Sequence, residues 1–461
     1  MVKTTLSVAA LSLALSGCAT GPQTADTSTG SLSASTITQV DFEETITPEL
    51  VQPPALVESE TAGPSTVPPK RLPSAGGLSL SALEEMALAN NPAVTQSEAR
   101  VRALRGKWVQ VGLPPNPTVG YVAGEVGNEG AAGQQGGFVG QEFITASKLQ
   151  RNRDVVAAEV GRAEQELAAK QQQVRTDVAK GYYAALLAQR RVELTEELVR
   201  ISGEAVEASE SLVSAEEIPL AGLLQTQVQQ KNAEVLARTA QNELAQSWRE
   251  LSSVVGGVEL PVQPLVGDVE RLPDSLDWDN QLQRLQSQSP EVAVAMAELE
   301  RSRRALGRAS VEAVPDIDTQ LSVQHDDSTG DTIVGVQVSV PIPLWDRNQG
   351  GIRQAQAEVT GAKQNVERVR LGLNRRLASV FRDYSDATVT AENYSSEILP
   401  LAGRTFELVQ KGYKQGEVGY LDLLAAQQTF SQTNLSYLDA LGSLWASYLQ
   451  IDGLLLDGSL E

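Results

Sequence analysis

The sequence predicts a mainly helical protein with a small β part, built from two copies of one unit. Three observations predict this fold class. Long stretches repeat apolar residues at alternating steps of three and four, which is the seam of packed helices. Four shorter stretches alternate apolar and polar residues, as strands with two unlike faces do. Matching segments also recur far apart along the 461-residue chain.

Composition limits the class of protein. Aromatic residues make up 4% and apolar residues 41% of the chain, so one thick globular core is not expected. The net charge of -21 argues against nucleic-acid binding, which calls for a basic patch. One Cys and one His exclude disulfide frameworks and most zinc sites within a single chain.

The amino terminus predicts export and anchoring. The apolar run Leu6–Leu15, which ends in Leu-Ser-Gly-Cys18, indicates a signal peptide over residues 1–17. This ending resembles the bacterial lipoprotein cleavage box, which implies acylation of Cys18 and, with Ala19 after it, the outer membrane. A chance cysteine beside an ordinary cleavage site is the alternative. Residues 18–77 are rich in Thr, Ser, Pro and Gly and are expected to form an extended tether.

An internal repeat divides the rest of the chain. Asn91-Pro92 recurs as Ser289-Pro290, and Pro117 recurs as Pro315, about 200 residues later. The segments that begin at Glu217 and Glu417 match at a similar spacing. The sequence therefore predicts one unit at 78–256 and a second at 278–456, with an equatorial linker at 257–277 and a short tail at 457–461.

Each unit is expected to contain a helix, two strands, a long helix, a tight turn and a further helix. The predicted bounds are 79–112, 117–126, 136–145, 146–213 and 221–256, and then 278–310, 316–325, 332–341, 348–413 and 421–456. Paired shorter helices match a long helix in length. We therefore expect 221–256 to stack on 278–310, and 421–456 on 79–112. The seam of the second long helix runs from Ile352 to Leu401, and Pro400 is expected to kink that helix.

The strands have the length and the alternation of membrane strands. In 332–341, for example, Val334, Val336, Val338 and Val340 alternate with Ile333, Gly335, Gln337 and Ser339. Four strands cannot close a membrane barrel, and open edges are costly in lipid. A membrane barrel would therefore have to be shared between chains. Two ordinary soluble hairpins are the alternative.

One junction motif indicates a family. Val340-Pro-Ile-Pro-Leu-Trp-Asp-Arg-Asn-Gln-Gly-Gly-Ile352 lies where a strand passes into a long helix. With the tandem units and Cys18, it resembles the TolC family of outer-membrane efflux proteins, and the motif is particularly similar to the heavy-metal, CzcC-like branch. The resemblance covers 78–456. It implies a homotrimer with a 12-stranded β-barrel, four strands from each chain, continued by a 12-helix periplasmic α-barrel.

The resemblance also implies a function and its sites. The function is a passive exit duct in a tripartite (RND-type) efflux system, with heavy-metal cations as the expected cargo. The partners are a periplasmic adaptor, an inner-membrane pump and outer-membrane lipid. Candidate adaptor contacts at the periplasmic tip are Glu217, Ile218, Pro219, Glu417, Val418, Gly419 and Tyr420, which could equally be simple turn residues. Gly416 and Gly419 are expected to give the turn its backbone freedom. Asp422 is a candidate pore-constricting acid, and Pro341, Pro343 and Trp345 are assigned to the membrane–periplasm junction.

Other functions have less support. A multidrug or type I secretion duct would share the fold. A non-transporting coiled-coil lipoprotein that tethers the envelope would not require the strand alternation. An enzyme is not expected, because His325 lies at a predicted hairpin end and no catalytic constellation is visible. No cofactor and no metal-binding site are expected.

Overall fold

The computed structural model describes residues 78–460, except 128, 129, 131, 258, 259 and 261. The predicted signal peptide, Cys18 and the tether lie outside the described residues. In chain order the elements are α1 (Leu80–Asn90), α2 (Pro92–Gln110), β1 (Thr118–Gly124), β2 (Gln134–Phe143), α3 (Lys148–Ser214), α4 (Leu220–Val254), α5 (Trp278–Gln288), α6 (Pro290–Ala309), β3 (Ile317–Asp326), β4 (Thr332–Ser339), α7 (Gln349–Asn393), a π-helical turn (Tyr394–Ile398), α8 (Leu399–Lys414) and α9 (Tyr420–Asp452). The predicted mainly helical fold with four strands is confirmed.

The first helix of each unit is broken in two, which the sequence analysis did not predict. Asn91 and Ser289 adopt extended conformations, with ψ of 123° and 124°. Each precedes a proline, whose ring disfavours the helical conformation in the residue before it. Pro92 and Pro290 then begin the next helix, where a missing N–H has no cost.

The shorter helices stack in a different pairing from the predicted one. The Asn91 side-chain amide donates to the Val254 carbonyl at 2.8 Å, so α2 begins where α4 ends. The Arg284 guanidinium contacts the side chain and the carbonyl of Asp452, each at 2.9 Å, so α5 lies at the end of α9. Both predicted stackings, 221–256 on 278–310 and 421–456 on 79–112, are therefore wrong. The short helices have nearly equal lengths, so length could not distinguish the two pairings.

The helices form one layer of rods. The 67-residue helix α3 packs against α2 and α4 on one side and against α6 and α9 on the other. Helix α7 packs against α6 and α9, and α8 packs against α9. The layer therefore has two open edges, one formed by α2 and α4 and the other by α7 and α8. None of the helices in the described part of the chain combines the length and apolar character of a membrane-spanning helix.

The predicted seam of the second long helix holds as far as the π-helical turn. Its central residues, including Leu373, Leu377 and Ala391, are buried. Beyond the turn, Ile398 and Leu401 are exposed, contrary to prediction, whereas Ala402 and Phe406 are buried, residues that the seam did not include. A π-helical turn inserts one residue and so moves the buried stripe by one position. The irregularity expected at Pro400 takes this form because proline cannot donate the helical hydrogen bond.

The linker crosses the layer of rods on one face. The Tyr182 hydroxyl on α3 donates to the Val266 carbonyl. The Trp445 indole on α9 donates to the Val269 carbonyl at 3.0 Å. The Leu276 N–H donates to the Tyr384 hydroxyl on α7 at 3.0 Å. The linker is thus tied to three rods in succession.

The carboxyl-terminal tail is tied to α3. The Asp177 carboxylate accepts hydrogen bonds from the N–H groups of Gly458 and Ser459, at 3.0 and 2.6 Å. The Lys180 ammonium lies 2.6 Å from the Asp457 carboxylate. These contacts hold the tail against the middle of the longest rod.

Candidate functional site

The four strands form one antiparallel sheet in the order β1-β2-β3-β4. Val119, Val139, Leu321 and Val336 lie directly opposite one another across the four strands. Directly opposite residues share a face of the sheet. All four side chains are exposed, and so are other apolar residues of this face, namely Tyr121, Phe143, Val323, Val334 and Val338. One face of the sheet is therefore an exposed apolar surface.

The opposite face is mostly polar or nearly bare, apart from Val122, Phe138 and Ile333. Its residues include Glu142, Asp318, Gln320, Ser322, Gln324 and Gln337, and glycines at 120, 136, 140 and 335. The Phe138 ring occupies the space over Gly120. Sheets in water usually bury their apolar face, whereas membrane strands turn it towards lipid. The arrangement fits lipid on one face and water on the other.

The sheet is incomplete at both edges. Within the described chain, β1 pairs only with β2, and β4 pairs only with β3. Each unpaired backbone group costs several kcal/mol in a bilayer. A four-stranded sheet in lipid therefore needs strands from further chains.

A buried ion pair joins the two units at the base of the sheet. The Lys148 ammonium lies 2.7 Å from the Asp316 carboxylate, and the Lys148 side chain is only 6% exposed. The Thr145 N–H also donates to Asp316, at 2.7 Å. Burial acts to raise the pKa of Asp316, but the hydrogen bonds from Lys148 and Thr145 outweigh it and lower the pKa. Sequence reasoning missed this pair, since its partners are far apart in the chain.

The junction motif folds into a loop between β4 and α7, here named the β4–α7 loop (residues 340–348). The strand ends at Ser339, before Pro341 and Pro343, neither of which could donate to the ladder. The strand is therefore two residues shorter than the predicted 332–341. Ile342, Leu344 and Trp345 are exposed.

Two matching helix turns form the opposite end of the rods. After α3, the Glu217 N–H donates to the Leu212 carbonyl at 2.9 Å, and after α8 the Glu417 N–H donates to the Gly412 carbonyl at 2.8 Å. These are the six-to-one bonds of Schellman motifs. Each motif needs a left-handed residue, supplied by Glu216 (φ 61°) and Gly416 (φ 73°). The predicted tip therefore consists of two equivalent turns side by side in one chain.

The expectation for Gly419 is wrong. Its φ of -72° and ψ of 157° match those of Pro219, at -73° and 153°. A residue of any type adopts this extended conformation, so Gly419 adds no necessary freedom. Gly416 supplies the backbone freedom of the second turn, as predicted. In the first turn a non-glycine residue, Glu216, adopts the same left-handed conformation.

The candidate adaptor contacts differ in exposure. Glu217, Pro219, Glu417 and Gly419 are exposed, whereas Ile218, Val418 and Tyr420 are partly buried. Val418 fills the space over Gly412. The Tyr420 hydroxyl is buried without a hydrogen-bond partner among the described residues, and burial, with a contribution from nearby Tyr413, raises its pKa.

Asp422 is exposed in the first turn of α9, where its N–H donates to the Gly419 carbonyl. A carboxylate at this position stabilises a helix through its dipole. Asp422 can stabilise the helix in this way whether or not it also narrows a pore.

Helices α3 and α8 are linked just above the tip. The Tyr413 and Ser209 hydroxyls lie 2.8 Å apart, and both side chains are buried. The Lys414 ammonium lies 3.4 Å from the Glu204 carboxylate. The Phe406 ring on α8 stacks on Phe430 of α9, with centroids 5.1 Å apart. The first two contacts join different units, so no local pattern in the sequence indicates them.

The face of the rods opposite the linker is open and polar. Arg191 follows Tyr182 by nine residues, which places it about half a turn round α3 from the linker contact. Arg191 contacts Asp439 of α9 and, at 3.5 Å, Glu243 of α4. The contacts of Arg191 with Asp439 and Glu243 lie in one groove. The lining of a second groove includes the amides of Gln229, Asn232, Gln428 and Gln432.

Ion pairs connect the rods nearer the sheet. Glu298 of α6 contacts Arg301 at 2.8 Å and Arg162 of α3 at 2.7 Å. Glu166 of α3 contacts Arg100 of α2 at 3.3 Å. Burial acts to raise the pKa of Glu298, but hydrogen bonds and the positive charge of Arg301 and Arg162 outweigh it and lower the pKa.

The described residues contain no group of three or more His, Cys, Asp or Glu side chains that could hold a metal ion. His325 is exposed at the end of β3, opposite Thr332. It lies on the apolar face of the sheet, far along the strand from the rods.

Comparison with known proteins places both units in one family. The family model for outer membrane efflux proteins matches residues 83–257 and 281–455. The cobalt-zinc-cadmium resistance protein CzcC of Cupriavidus metallidurans is 26% identical over 406 residues, which cover 87% of this chain and 95% of CzcC. The nickel-cobalt-cadmium resistance protein NccC of Alcaligenes xylosoxydans xylosoxydans is 24% identical over 64% of this chain and 67% of NccC.

A solved structure of CusC, studied for transmembrane channel formation, has a similar fold. Its TM-score is 0.68, with 18% identity over 84% of this chain and 96% of that chain. The resemblance inferred from the junction motif and the tandem units is confirmed.

Proposed function

Because this chain belongs to the outer membrane efflux protein family, we propose that it is the outer-membrane channel of a tripartite (RND-type) efflux system for heavy-metal cations. It is a passive exit duct across the periplasm and the outer membrane. The observation that carries this proposal is the sheet with one exposed apolar face and two open edges, continuous with rods about 100 Å long.

A shared barrel explains the open edges. Each chain supplies four strands, and eight is the practical minimum for a membrane barrel. Two chains would reach that minimum, but the TolC-family resemblance favours three, which gives a 12-stranded barrel and a 12-helix α-barrel. The apolar face then meets lipid, and the polar face lines the channel.

The open edges of the rods support the same assembly. Helix α4 exposes a stripe of apolar side chains on its free face, namely Leu220, Leu224, Val228 and Val235. The opposite edge of the layer exposes Leu401 and Leu408 of α8. Apolar stripes at helical spacing are the usual contact surface of packed helices. Neighbouring copies would bury the two stripes against each other.

Metal cations fit the duct as transient cargo. The names of CzcC and NccC specify resistance to cobalt, cadmium, zinc and nickel. A conduit does not need a tight site, because tight binding slows exit. The amides and paired charges of the open rod face suit passage without retention.

We propose roles for the remaining sites that the sequence indicated. The turn residues, with Glu217, Pro219, Glu417 and Gly419 exposed, meet the periplasmic adaptor, which is bound in turn to the inner-membrane pump. Asp422 lies beside this opening. Pro341, Pro343 and Trp345 mark the membrane–periplasm junction, where aromatic rings are favoured. Acylated Cys18 adds a lipid anchor in the outer membrane.

A deletion strain tests the cargo. Loss of this protein should lower tolerance to zinc, cobalt and cadmium and leave tolerance to a panel of drugs unchanged. Plasmid-borne wild-type protein should restore metal tolerance. Unchanged metal tolerance with new drug sensitivity would instead identify a multidrug duct of the same fold.

A further inference from the structure

The polar residues of the β4–α7 loop stabilise the loop itself. The Asp346 carboxylate accepts the Asn348 N–H at 2.9 Å, and the Gln349 side chain donates to the Trp345 carbonyl at 3.0 Å. The Asn348 amide donates to the Ala309 carbonyl of α6 at 2.8 Å, which fixes the loop to the rods. The junction motif thus builds a preformed loop.

The apolar residues of the same loop point outwards. The Leu344 N–H donates to the Ile342 carbonyl at 2.9 Å, which makes an inverse γ-turn through Pro343. Ile342 is 76% exposed, Leu344 59% and Trp345 86%. Removing such side chains from water against a partner surface is favourable. A rigid loop that presents large apolar side chains is a docking surface.

A matching apolar patch lies at the other edge of the sheet. Trp108, Val109 and Leu113, at the end of α2 and just before β1, are 39%, 51% and 48% exposed. The Arg153 guanidinium lies 4.9 Å from the centre of the Trp108 ring and steadies it from the rod side.

The strand directions bring these two surfaces together between copies. Strands alternate in direction across the sheet, so β1 runs away from the rods and β4 runs back towards them. When β4 pairs with β1 of the next copy, the two strands are antiparallel. The end of β4 and the start of β1 then lie at the same, rod-side end of the barrel.

We propose that the β4–α7 loop is a clasp between subunits, in which Ile342 and Leu344 pack against Trp108, Val109 and Leu113 of the adjacent copy. This inference rests on the proposed shared barrel. A second copy fits better than lipid as the partner. Pairing of β4 with β1 of the next copy brings Trp108, Val109 and Leu113 of that copy next to the loop. Trp345 lies at the rim of the clasp, on the membrane side.

Cysteine cross-linking tests the clasp in the full-length protein in outer membranes. The double variant Leu113→Cys/Leu344→Cys should form disulfide-linked dimers and trimers on a non-reducing gel. Each single variant, which retains Cys18, should not. Light scattering of the reduced double variant should give the mass of a trimer.

Fluorescence measures whether lipid covers the loop instead. In a Trp345→Phe background, the further change Leu344→Trp should add emission that brominated phospholipids quench little. A trimeric double variant without cross-links, or strong quenching at position 344, would overturn the clasp and leave the shared barrel standing. A monomer in the membrane would overturn both.

Discussion

The Lys148 ammonium and the Asp316 carboxylate, 2.7 Å apart, join the start of α3 to the start of β3 at the base of the sheet. The pair ties the long rod of the first unit to the strand that follows in the second unit. It therefore fixes how the two hairpins sit on the rods, and it stands where the chain passes from the sheet to the helices.

Removing one partner of this pair should destabilise the protein. Lys148→Met leaves a partly buried carboxylate without its cation, which we expect to cost about 2 kcal/mol, between an exposed pair and a fully buried one. The control is Lys231→Met, which removes a more exposed Lys–Glu pair and should cost less than about 1 kcal/mol. Thermal unfolding of the detergent-solubilised protein measures both. Equal effects would show that burial of the first pair contributes nothing.

The two glycines of the second tip turn should respond differently to alanine. Gly416→Ala places a side chain in the left-handed conformation and should cost about 1 kcal/mol. Gly419→Ala keeps an ordinary extended backbone and should stay within about 0.5 kcal/mol of wild type. The readout is the thermal midpoint of each variant. A larger loss at Gly419 would contradict the backbone assignment.

A bulky side chain at the tip should impair export without impairing insertion. Gly419→Trp enlarges an exposed turn residue that we assign to the adaptor contact. Metal efflux should fall, whereas the amount of protein in the outer membrane should not. The control is Gly161→Trp in α3, which lies away from both open edges of the layer and has open space for a side chain. A parallel loss of export and inserted protein would point to a folding defect instead.

The buried hydroxyl contact above the tip should hold α8 against α3. Tyr413→Phe removes the bond to Ser209, whose hydroxyl still donates to the Ala205 carbonyl at 2.7 Å. The expected loss is roughly 0.5–1.5 kcal/mol. Hydrogen exchange should accelerate near the end of α8 and stay unchanged in α6. Uniform acceleration along the chain would argue for global destabilisation.

Acid should weaken the ion pairs of the rods through Glu298. Its pKa is lowered in the folded state, so its contribution to stability is complete above the ordinary carboxyl pKa of about 4.3. The contribution is lost as the pH falls through the lower, folded-state pKa. The thermal midpoint of wild type should therefore drop more steeply between about pH 5 and 3 than that of Glu298→Gln. Parallel curves for the two proteins would contradict this assignment.

The sequence predicted the order of the elements because local periodicity determines them. Alternation in Val334, Val336 and Val338 marks a strand, and the steps from Leu373 to Ala391 mark a buried helix stripe. The glycine at position 416 also correctly predicted a left-handed residue in the second turn. A kink was predicted at Pro400, and the structure has a π-helical turn at Tyr394–Ile398 just before it, which moves the buried stripe by one residue.

Contacts between distant segments could not be predicted from one sequence. Asn91 to Val254 decides which helices stack, and Lys148 to Asp316 joins the units, yet neither pair carries a local signal. The prediction for Gly419 was wrong for a different reason. Glycine was assumed to signal a special conformation, whereas its repeat partner, Pro219, already indicated an ordinary extended one.

The number of chains in the membrane-inserted protein tests the central claim most directly. The four-stranded sheet with an apolar outer face should be completed only by strands of other copies. Light scattering of protein extracted from the outer membrane in mild detergent should give the mass of three chains. A stable monomer, soluble without detergent, would contradict the shared barrel and with it the proposed duct.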